Sequence, residues 1–523
     1  MSNNSNPYWD IIIIGGGITG AGIFSRAARM GYRTLLVEAR DYASGTSGKS
    51  SKMVHGGLRY LSQGRFLLTR AAVRERQRLL NRYPGLVTPL DFFMPVYRNR
   101  GPSLSTMKLG LSIYSMMAGK KGYDQFTTAD CSAMAPGIRK PGLQSGLGFQ
   151  DAQVDDARLV LRLIQKGRHL GACSMNYSKV TGVEKGRKQF SVFTLDACTG
   201  RCSENHARVV INATGTHVNE LMPVGGKKNR IRPLRGSHLV FPSGLLPLDR
   251  VISFIHPRDH RPVFIFPWQG ASVLGTTDVD HISDLDTEPR ASLDEATYLM
   301  EGLHHILPES GIRLKDCIAS FSGIRPVLGR GNRQASCESR DHAIWNHGGM
   351  ITVTGGKLTT FDLLARDTLS LAKPYLAAAP PGQEPCPPSP KPEPSGLDPQ
   401  VLHRAWGRYG TRTQALISQI RITGPQTIPG THTLWAELAY AARHEQVRTL
   451  SDLLLRRVRI GLLLPNGGAG LLDKIESVCQ NSLPWDQQRW AFEKKQYLDV
   501  WQSSFAPPPE SFTPVIRKTC HDG

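Results

Sequence analysis

The sequence predicts an α/β protein built from a mostly parallel sheet wound with helices, an inserted and mostly antiparallel β domain, and a helical domain at the C-terminal end. Three observations carry that prediction. A β-branched run, Trp9-Asp-Ile-Ile-Ile-Ile14, stops at three glycines, and two further strand-then-glycine segments recur far along the chain, at Ala207–Gly215 and Met350–Gly356. Between those two, Ser237–Val240, Val251–Ile255, Pro262–Pro267 and Ala271–Gly275 are short strand-type runs broken by Pro and Gly. From about residue 399 onward the pattern is helical, with Ala436–Leu455 the strongest stretch. At 523 residues the chain has room for several domains. Its 40% hydrophobic and 20% charged content excludes disordered and collagen-like classes for most of the length.

The run Trp9–Ile14 suits a strand buried on both faces, residues 18–30 read as a helix, and Thr34-Leu-Leu-Val-Glu38 reads as the next strand. Gly15-x-Gly17-x-x-Gly20 falls where this Rossmann-like βαβ unit turns from strand to helix. The first glycine permits the turn, the second lets backbone approach a pyrophosphate, and the third lets helix and strand pack closely. The helix N-terminus then offers backbone donors to phosphate. Glu38 ends the second strand, 18 residues beyond Gly20, where a carboxylate can accept hydrogen bonds from ribose hydroxyls.

Such a unit serves both NAD and FAD. The later run ending Ala213-Thr-Gly215 is a second strand-to-glycine approach to the same cofactor, and Gly355-Gly356-Lys357-Leu358-Thr359-Thr360 reads as a helix N-terminus aimed at a flavin ring. A split domain of this kind favours FAD. The expected organisation is a first FAD-binding part over 8–80, segments shared between cofactor and substrate domains over 81–205, and an FAD-binding strand over 206–230. A substrate (cap) domain over 231–345, the last FAD-binding part over 346–376, a proline-rich linker over 377–398 and a helical domain over 399–523 complete it. The linker suggests a C-terminal domain only loosely tied to the rest.

Ser50-Ser-Lys-Met-Val-His-Gly-Gly-Leu-Arg-Tyr-Leu61, Arg235-Gly-Ser-His238, Gly275-Thr-Thr-Asp278, Ser322-Gly-Ile-Arg-Pro326 and Gly355-Gly-Lys-Leu-Thr-Thr360 occur in that order. The chain thereby resembles the FAD-dependent glycerol-3-phosphate dehydrogenases of the D-amino-acid-oxidase-like flavoproteins, strongly over about 8–372 and more weakly beyond. The resemblance implies oxidation of glycerol 3-phosphate to dihydroxyacetone phosphate, with hydride transfer to flavin N5 and electrons passed to a membrane quinone. It assigns Arg59, Tyr60, Arg325 and Arg340 to the substrate, and Arg325 and Lys357 to catalysis with His238. Ser51, Lys52, His55, Gly57, Leu58, Val180, Ala213, Gly215, Gly356, Lys357, Leu358 and Thr359 join the glycines and Glu38 in the FAD set.

The residues' own chemistry fits that reaction. A phosphate carrying nearly two charges is best held by the planar fork of arginine, and an imidazole such as His238 has the pKa for taking a hydroxyl proton. An arginine is by default a solvated surface group, and His238, beside a strand, could equally be a core histidine. Asp278 suits a turn as well as a substrate contact. Thr216-His217 and Phe361-Asp362 stand where the family has Pro-Trp and Tyr-Arg, which leaves the shape beside the flavin open.

The charge balance is basic: 64 Lys and Arg against 43 Asp and Glu, a net +21. That calls for an anionic partner, whether nucleic acid, an anionic membrane or a phosphorylated small molecule. Aromatics are only 7% and do not interleave with the basic residues, so no nucleic acid is expected. Arg70, Arg74, Arg78 and Arg82 repeat every four residues, and the apolar Leu104–Ala118 follows. This suits either a solvated helix beside an ordinary core helix or a chain lying on a membrane, and the resemblance implies the second: a cytoplasmic protein on the inner face of the cell membrane, peripheral rather than spanning. The polar start lacks the apolar core of a secretory signal. Nine scattered cysteines without a C-x-x-C suggest a reduced interior and no metal site. Oligomeric state is left open, a homodimer included.

Overall fold

A computed structural model describes residues 8–61, 64–98, 101–119, 122–221, 231–329, 342–378 and 396–509. The first strand, Tyr8–Ile14, lies between Thr34–Val37 and Cys202–Asn212, parallel to both. The latter strand is in turn parallel to Met350–Gly355, and Cys173–Met175 extends the other side. Ile11, Ile12 and Ile13 are fully buried, as a strand covered on both faces requires. One face is covered by the helices Ile18–Arg29, Asp156–His169 and Phe361–Ala372, whose apolar sides share a core with Ile11, Ile13, Val209 and Ile351.

The second sheet is larger and mostly antiparallel. At its centre Ile231–Pro242 pairs with Ala271–Gly275 on one side and Ala319–Leu328 on the other. The strands Val87–Tyr97 and Leu143–Val154 also belong to it, joined through the parallel pairing of Val87–Tyr97 with Val251–Ile255. Both sheets are therefore woven from segments distant in sequence.

The C-terminal part is helical, but the stretch 436–455 is not one helix. Trp435–His444 ends at Glu445, Gln446 adopts φ +51°, and Thr449 caps a new turn at Leu450–Asp452 that continues into the π-turn Leu453–Arg457. Apolar periodicity survived a break that the left-handed residue imposes.

The loose attachment expected from the linker is overturned. Residues 379–395 of that segment lie outside the described residues, yet the helices beyond it share one core with the second sheet, in which Trp268, Phe266 and Phe321 pack with Leu438, Leu454, Leu462 and Trp501. Buried ion pairs cross the same seam. Arg158 meets Glu445 in a bidentate pair at 2.6 and 3.0 Å, Arg408 reaches Asp155 at 2.9 Å, and Arg456 and Arg457 both grip Asp41. Asp155 caps the helix Asp156–His169, so the C-terminal arginines clamp the start of a helix that packs on the nucleotide-binding sheet.

Candidate active site

The carboxyl ends of the three parallel strands Tyr8–Ile14, Cys202–Asn212 and Met350–Gly355 converge, which is where sheets of this class bind ligands. Gly15, at φ +110°, packs so tightly that a Cβ would lie 2.5 Å from the Ala213 carbonyl oxygen. A Cβ on Gly20 would lie 1.9 Å from the Gly15 carbonyl oxygen, so helix and turn touch. Gly17 supplies no side chain to the cap; the Ser47 hydroxyl accepts from the Ile18 N–H at 2.9 Å, and a glycine-led helix N-terminus of this kind suits an anion. The Thr354 hydroxyl donates to the Gly215 carbonyl at 3.2 Å and ties the second and third glycine segments together.

Glu38 accepts from the backbone N–H of Gly16 at 2.5 Å and of Arg40 at 2.9 Å. Burial pushes its carboxyl up despite those bonds. Gly57, at φ +82°, precedes the short helix Leu58–Leu61, where Leu58 packs against Leu61, Val73 and Tyr114. Val180 is buried with Ile12, Ile14 and Val37. His55 is half-buried. At the third segment, Gly356 has φ +79°, and Lys357 and Leu358 are half-buried at the turn that opens the helix Phe361–Ala372. Thr359 is buried there, and its hydroxyl has no partner among the described residues. A tight glycine cradle, a glycine-led helix start and an orphaned hydroxyl fit a dinucleotide with a ring system.

On the second sheet the motifs become neighbours. His238 sits opposite both Gly275 and Phe321, and Gly236 opposite Gly323. The glycines make the room: a Cβ on Gly275 would lie 2.2 Å from the His238 ring, and one on Gly236 would lie 2.3 Å from the Arg325 guanidinium. Sequence reasoning quoted both glycines in motifs without this role, because which side chain each faces across the sheet depends on register. Glu295, lowered on balance against its burial by hydrogen bonds from Thr277, Ser292 and Ser237, stitches the strands together and takes Arg235 at 2.8 Å. Arg235 and Ser237 are therefore structural.

His238 is fully buried, its ring stacked on Phe321 at 4.5 Å, and its Nε2 lies 2.9 Å from the Ser51 hydroxyl. Its Nδ1 has no partner among the described residues. Burial, then Arg325 and Lys52, hold its pKa well below the ordinary imidazole value, so it is a neutral base at neutral pH. Arg325 donates to Asp278 at 3.0 Å and to the Thr276 hydroxyl at 3.2 Å. Asp278 also meets Arg261 at 3.4 Å, a residue absent from the expected site. One carboxylate between two guanidinium groups leaves positive potential for a phosphate.

The Lys52 ammonium ties down its own loop: it is fully buried and donates to both Asp156 oxygens at 2.9 and 2.8 Å and to the Gly48 carbonyl at 2.9 Å. Burial and then Arg459 push it down to about 7, against the pull of Asp156. Ser51, beside it, serves His238. Arg59 and Tyr60 lie on the helix Leu58–Leu61 with side chains outside what is described, and Arg340 lies outside the described residues. Of the departures from the family pattern, Asp362 draws in Arg26 at 3.5 Å and Arg82 at 3.4 Å, while His217 pairs with Glu220 at 2.7 Å.

Residues 10–361 match the FAD dependent oxidoreductase family, and residues 351–490 match the C-terminal domain of alpha-glycerophosphate oxidase. The chain belongs to the FAD-dependent oxidoreductases. FAD is this flavoprotein's cofactor. Its relatives include glycerol-3-phosphate dehydrogenase 2 of Mycobacterium tuberculosis, 31% identical and covering 91% of this chain and 85% of that one. The aerobic glycerol-3-phosphate dehydrogenase of Staphylococcus haemolyticus is 29% identical over 87% of each chain. The crystal structure of the glycerol-3-phosphate dehydrogenase from Bacillus halodurans complexed with FAD superposes on the flavoprotein with a TM-score of 0.72. At 23% identity it covers 95% of this chain and 96% of its own, so the fold is shared along the whole length, C-terminal helices included.

Proposed function

We propose that this flavoenzyme oxidises sn-glycerol 3-phosphate at carbon 2 to dihydroxyacetone phosphate, the hydride passing to N5 of bound FAD and the electrons onward to a membrane quinone. The observation that carries the reading is the pairing of a neutral, buried His238, whose Nδ1 is unpartnered among the described residues, with Arg325 one strand away. Oxidising a secondary alcohol removes a hydride, one proton with two electrons, from carbon and one proton from oxygen. His238 takes the hydroxyl proton at Nδ1. Arg325, braced by Asp278, holds the phosphate, and by family resemblance Arg59, Tyr60 and Arg340 share in binding. Lys357, at the start of the third segment, stabilises negative charge at the flavin or on the substrate oxygen.

Two helices support attachment to an anionic membrane surface. On Phe66–Arg82, Arg70 and Arg74 are exposed beside Phe66 and Leu67, which are 49% and 83% exposed, while Arg78, also exposed, is ion-paired with Glu75. On the neighbouring Leu104–Met117, Leu109 and Met116 are 64% and 71% exposed. Arg82 leaves this group for Asp362, and Arg76, between the exposed positions, is buried against Asp151. No helix among the described residues is long and apolar enough to cross a membrane. The reading is therefore a peripheral enzyme on the cytoplasmic face.

The decisive test is the visible spectrum of the purified protein during anaerobic addition of glycerol 3-phosphate. The expected result is a yellow flavin that bleaches; a flavin untouched by substrate sinks the proposal. Replacing Arg325 by Ala is expected to raise KM about 10- to 100-fold, the worth of a charge-assisted hydrogen bond, with flavin retained. Turnover with a quinone analogue against oxygen separates dehydrogenase from oxidase.

A further inference from the structure

The C-terminal domain reaches the active site through one buried carboxylate. We propose that Asp156 and Arg459 are positioning residues: Asp156 clamps Ser50 and Lys52, the two neighbours of Ser51, and Arg459 locks that carboxylate, so that Ser51 holds His238 with Nδ1 turned to the substrate. The inference rests on His238 being the base.

The geometry is continuous. One oxygen of Asp156 accepts from the Ser50 backbone N–H at 2.8 Å and from the Ser50 hydroxyl at 2.7 Å, and both oxygens accept from the Lys52 ammonium. Ser51 is thus pinned on either side, while its own hydroxyl faces His238 Nε2 at 2.9 Å. Lys52 adopts φ +57°, a backbone state a non-glycine residue keeps only when its surroundings enforce it. The enforcement includes Arg459, which donates to Asp156 at 3.1 Å and to the Gly48 carbonyl at 2.8 Å. Arg459 itself has φ +62° and, together with Lys52, flanks Trp268, their cationic groups 5.4 and 5.2 Å from its ring. The Lys52 ammonium also lies 4.6 Å from the centre of the Phe321 ring, on which His238 stacks within 10° of parallel. Phe321 sets the ring plane of His238, and its Nε2 partner is the serine that Asp156 and Arg459 hold in place. A base acting at Nδ1 needs its proton on Nε2, donated to the Ser51 oxygen. The clamp supplies that acceptor at a fixed place.

This gives the C-terminal helices a part in the reaction beyond their share of the core. A purely structural Arg459 would, when replaced, lower stability and flavin content together. A positioning Arg459 instead lowers turnover per bound flavin. In the full-length holoenzyme, Arg459→Met is expected to reduce kcat per flavin about 10- to 100-fold, the penalty for a misplaced catalytic group, with KM within about threefold. Arg459→Lys, which keeps the cation, is expected to recover most of the loss. Without any substrate, ¹⁵N-histidine spectra, with His238 assigned by its loss in His238→Asn, should show one tautomer protonated at Nε2 in the wild type and a mixture in Arg459→Met. If Arg459→Met does not fold, Ser50→Ala removes one arm of the clamp and carries the same two measurements. Unchanged kcat per flavin, or a wild-type-like His238 tautomer in the variant, overturns the inference. A wild-type flavin that glycerol 3-phosphate fails to bleach sinks the proposed reaction instead, and the tautomer measurement stands apart from it.

Discussion

At the seam between the nucleotide-binding sheet and the C-terminal helices, Arg158, Arg408, Arg457 and Arg459 are buried against carboxylates, whereas on the helix Phe66–Arg82 the side chains of Arg70 and Arg74 stand in solvent beside exposed Phe66 and Leu67. The same residue type does opposite work in the two places. Inside, cation and carboxylate alternate: Arg456 and Arg457 on Asp41, Arg158 on Glu445, Arg408 between Asp155 and Glu437, Arg459 and Lys52 on Asp156. Taking each ion out of water is costly, so these pairs fix which surfaces meet rather than simply adding stability. On the outer helix Arg78 pairs with Glu75 and Arg82 with Asp362, and Arg70 and Arg74 stand in solvent where they can meet an external anion. The difference places the specificity of domain docking within.

The largest effect should come from breaking one internal pair. Asp41→Asn leaves Arg456 and Arg457 without their shared carboxylate and is expected to cost about 3–5 kcal/mol, read as the shift in a denaturant midpoint. Replacing Arg158 and Glu445 together by Met is expected to cost far less than either alone, because no charge is left unpaired. If single and double variants lose the same stability, the seam is held by its apolar core and the ion pairs contribute nothing specific.

At the outer helix the same operation should leave folding alone. The double variant Arg70→Gln, Arg74→Gln is expected to keep its unfolding midpoint within about 0.5 kcal/mol, as surface substitutions do. Its binding to vesicles rich in anionic lipid should weaken by roughly 1 kcal/mol per arginine. Co-sedimentation at rising salt checks this. Unchanged partition of the variant would mean that this face does not meet the membrane, and Leu67→Asp tests whether the apolar side chains hold it there instead.

What could be read from the sequence follows the same divide between local and distant. Trp9–Ile14, the glycine turn and the helix after it were legible because strand, turn and helix signals all fall within thirty residues. His238 and Arg325 were legible as residue types in distinctive motifs, but their meeting on adjacent strands depends on register that no local pattern encodes. The partner of Lys52 was hidden for that reason. A lysine beside a glycine-rich cofactor segment looks like a phosphate ligand until its partner, Asp156, arrives from 104 residues away. The tight docking of the C-terminal helices was hidden likewise, since a proline-rich linker says nothing about the surfaces it joins. Arg82 read as part of a basic face because its spacing is helical, and only the fold delivers Asp362 to it.

The smallest predicted effect joins the two regions, because one seam cation acts on His238, the base of the proposed reaction. The His238 pKa is held down by burial first, then by Arg325 and by Lys52. A lowered pKa keeps the ring neutral as pH falls through about 6.5, the value of a free imidazole, so protonation should begin only at more acid pH. The second ionisation of the substrate phosphate falls near the same pH. A ¹⁵N-histidine titration without substrate is therefore the cleaner measurement. Removing a neighbouring cation favours the protonated ring, and Arg325→Met should raise the midpoint by up to about one unit, worth roughly 1.4 kcal/mol. Gln at 70 and 74 should leave it in place, since those charges are exposed and screened by solvent and salt. A midpoint that moves with the surface arginines, or that starts above the free imidazole value, would show that the field at His238 is set by the whole basic surface rather than by the two cations beside it.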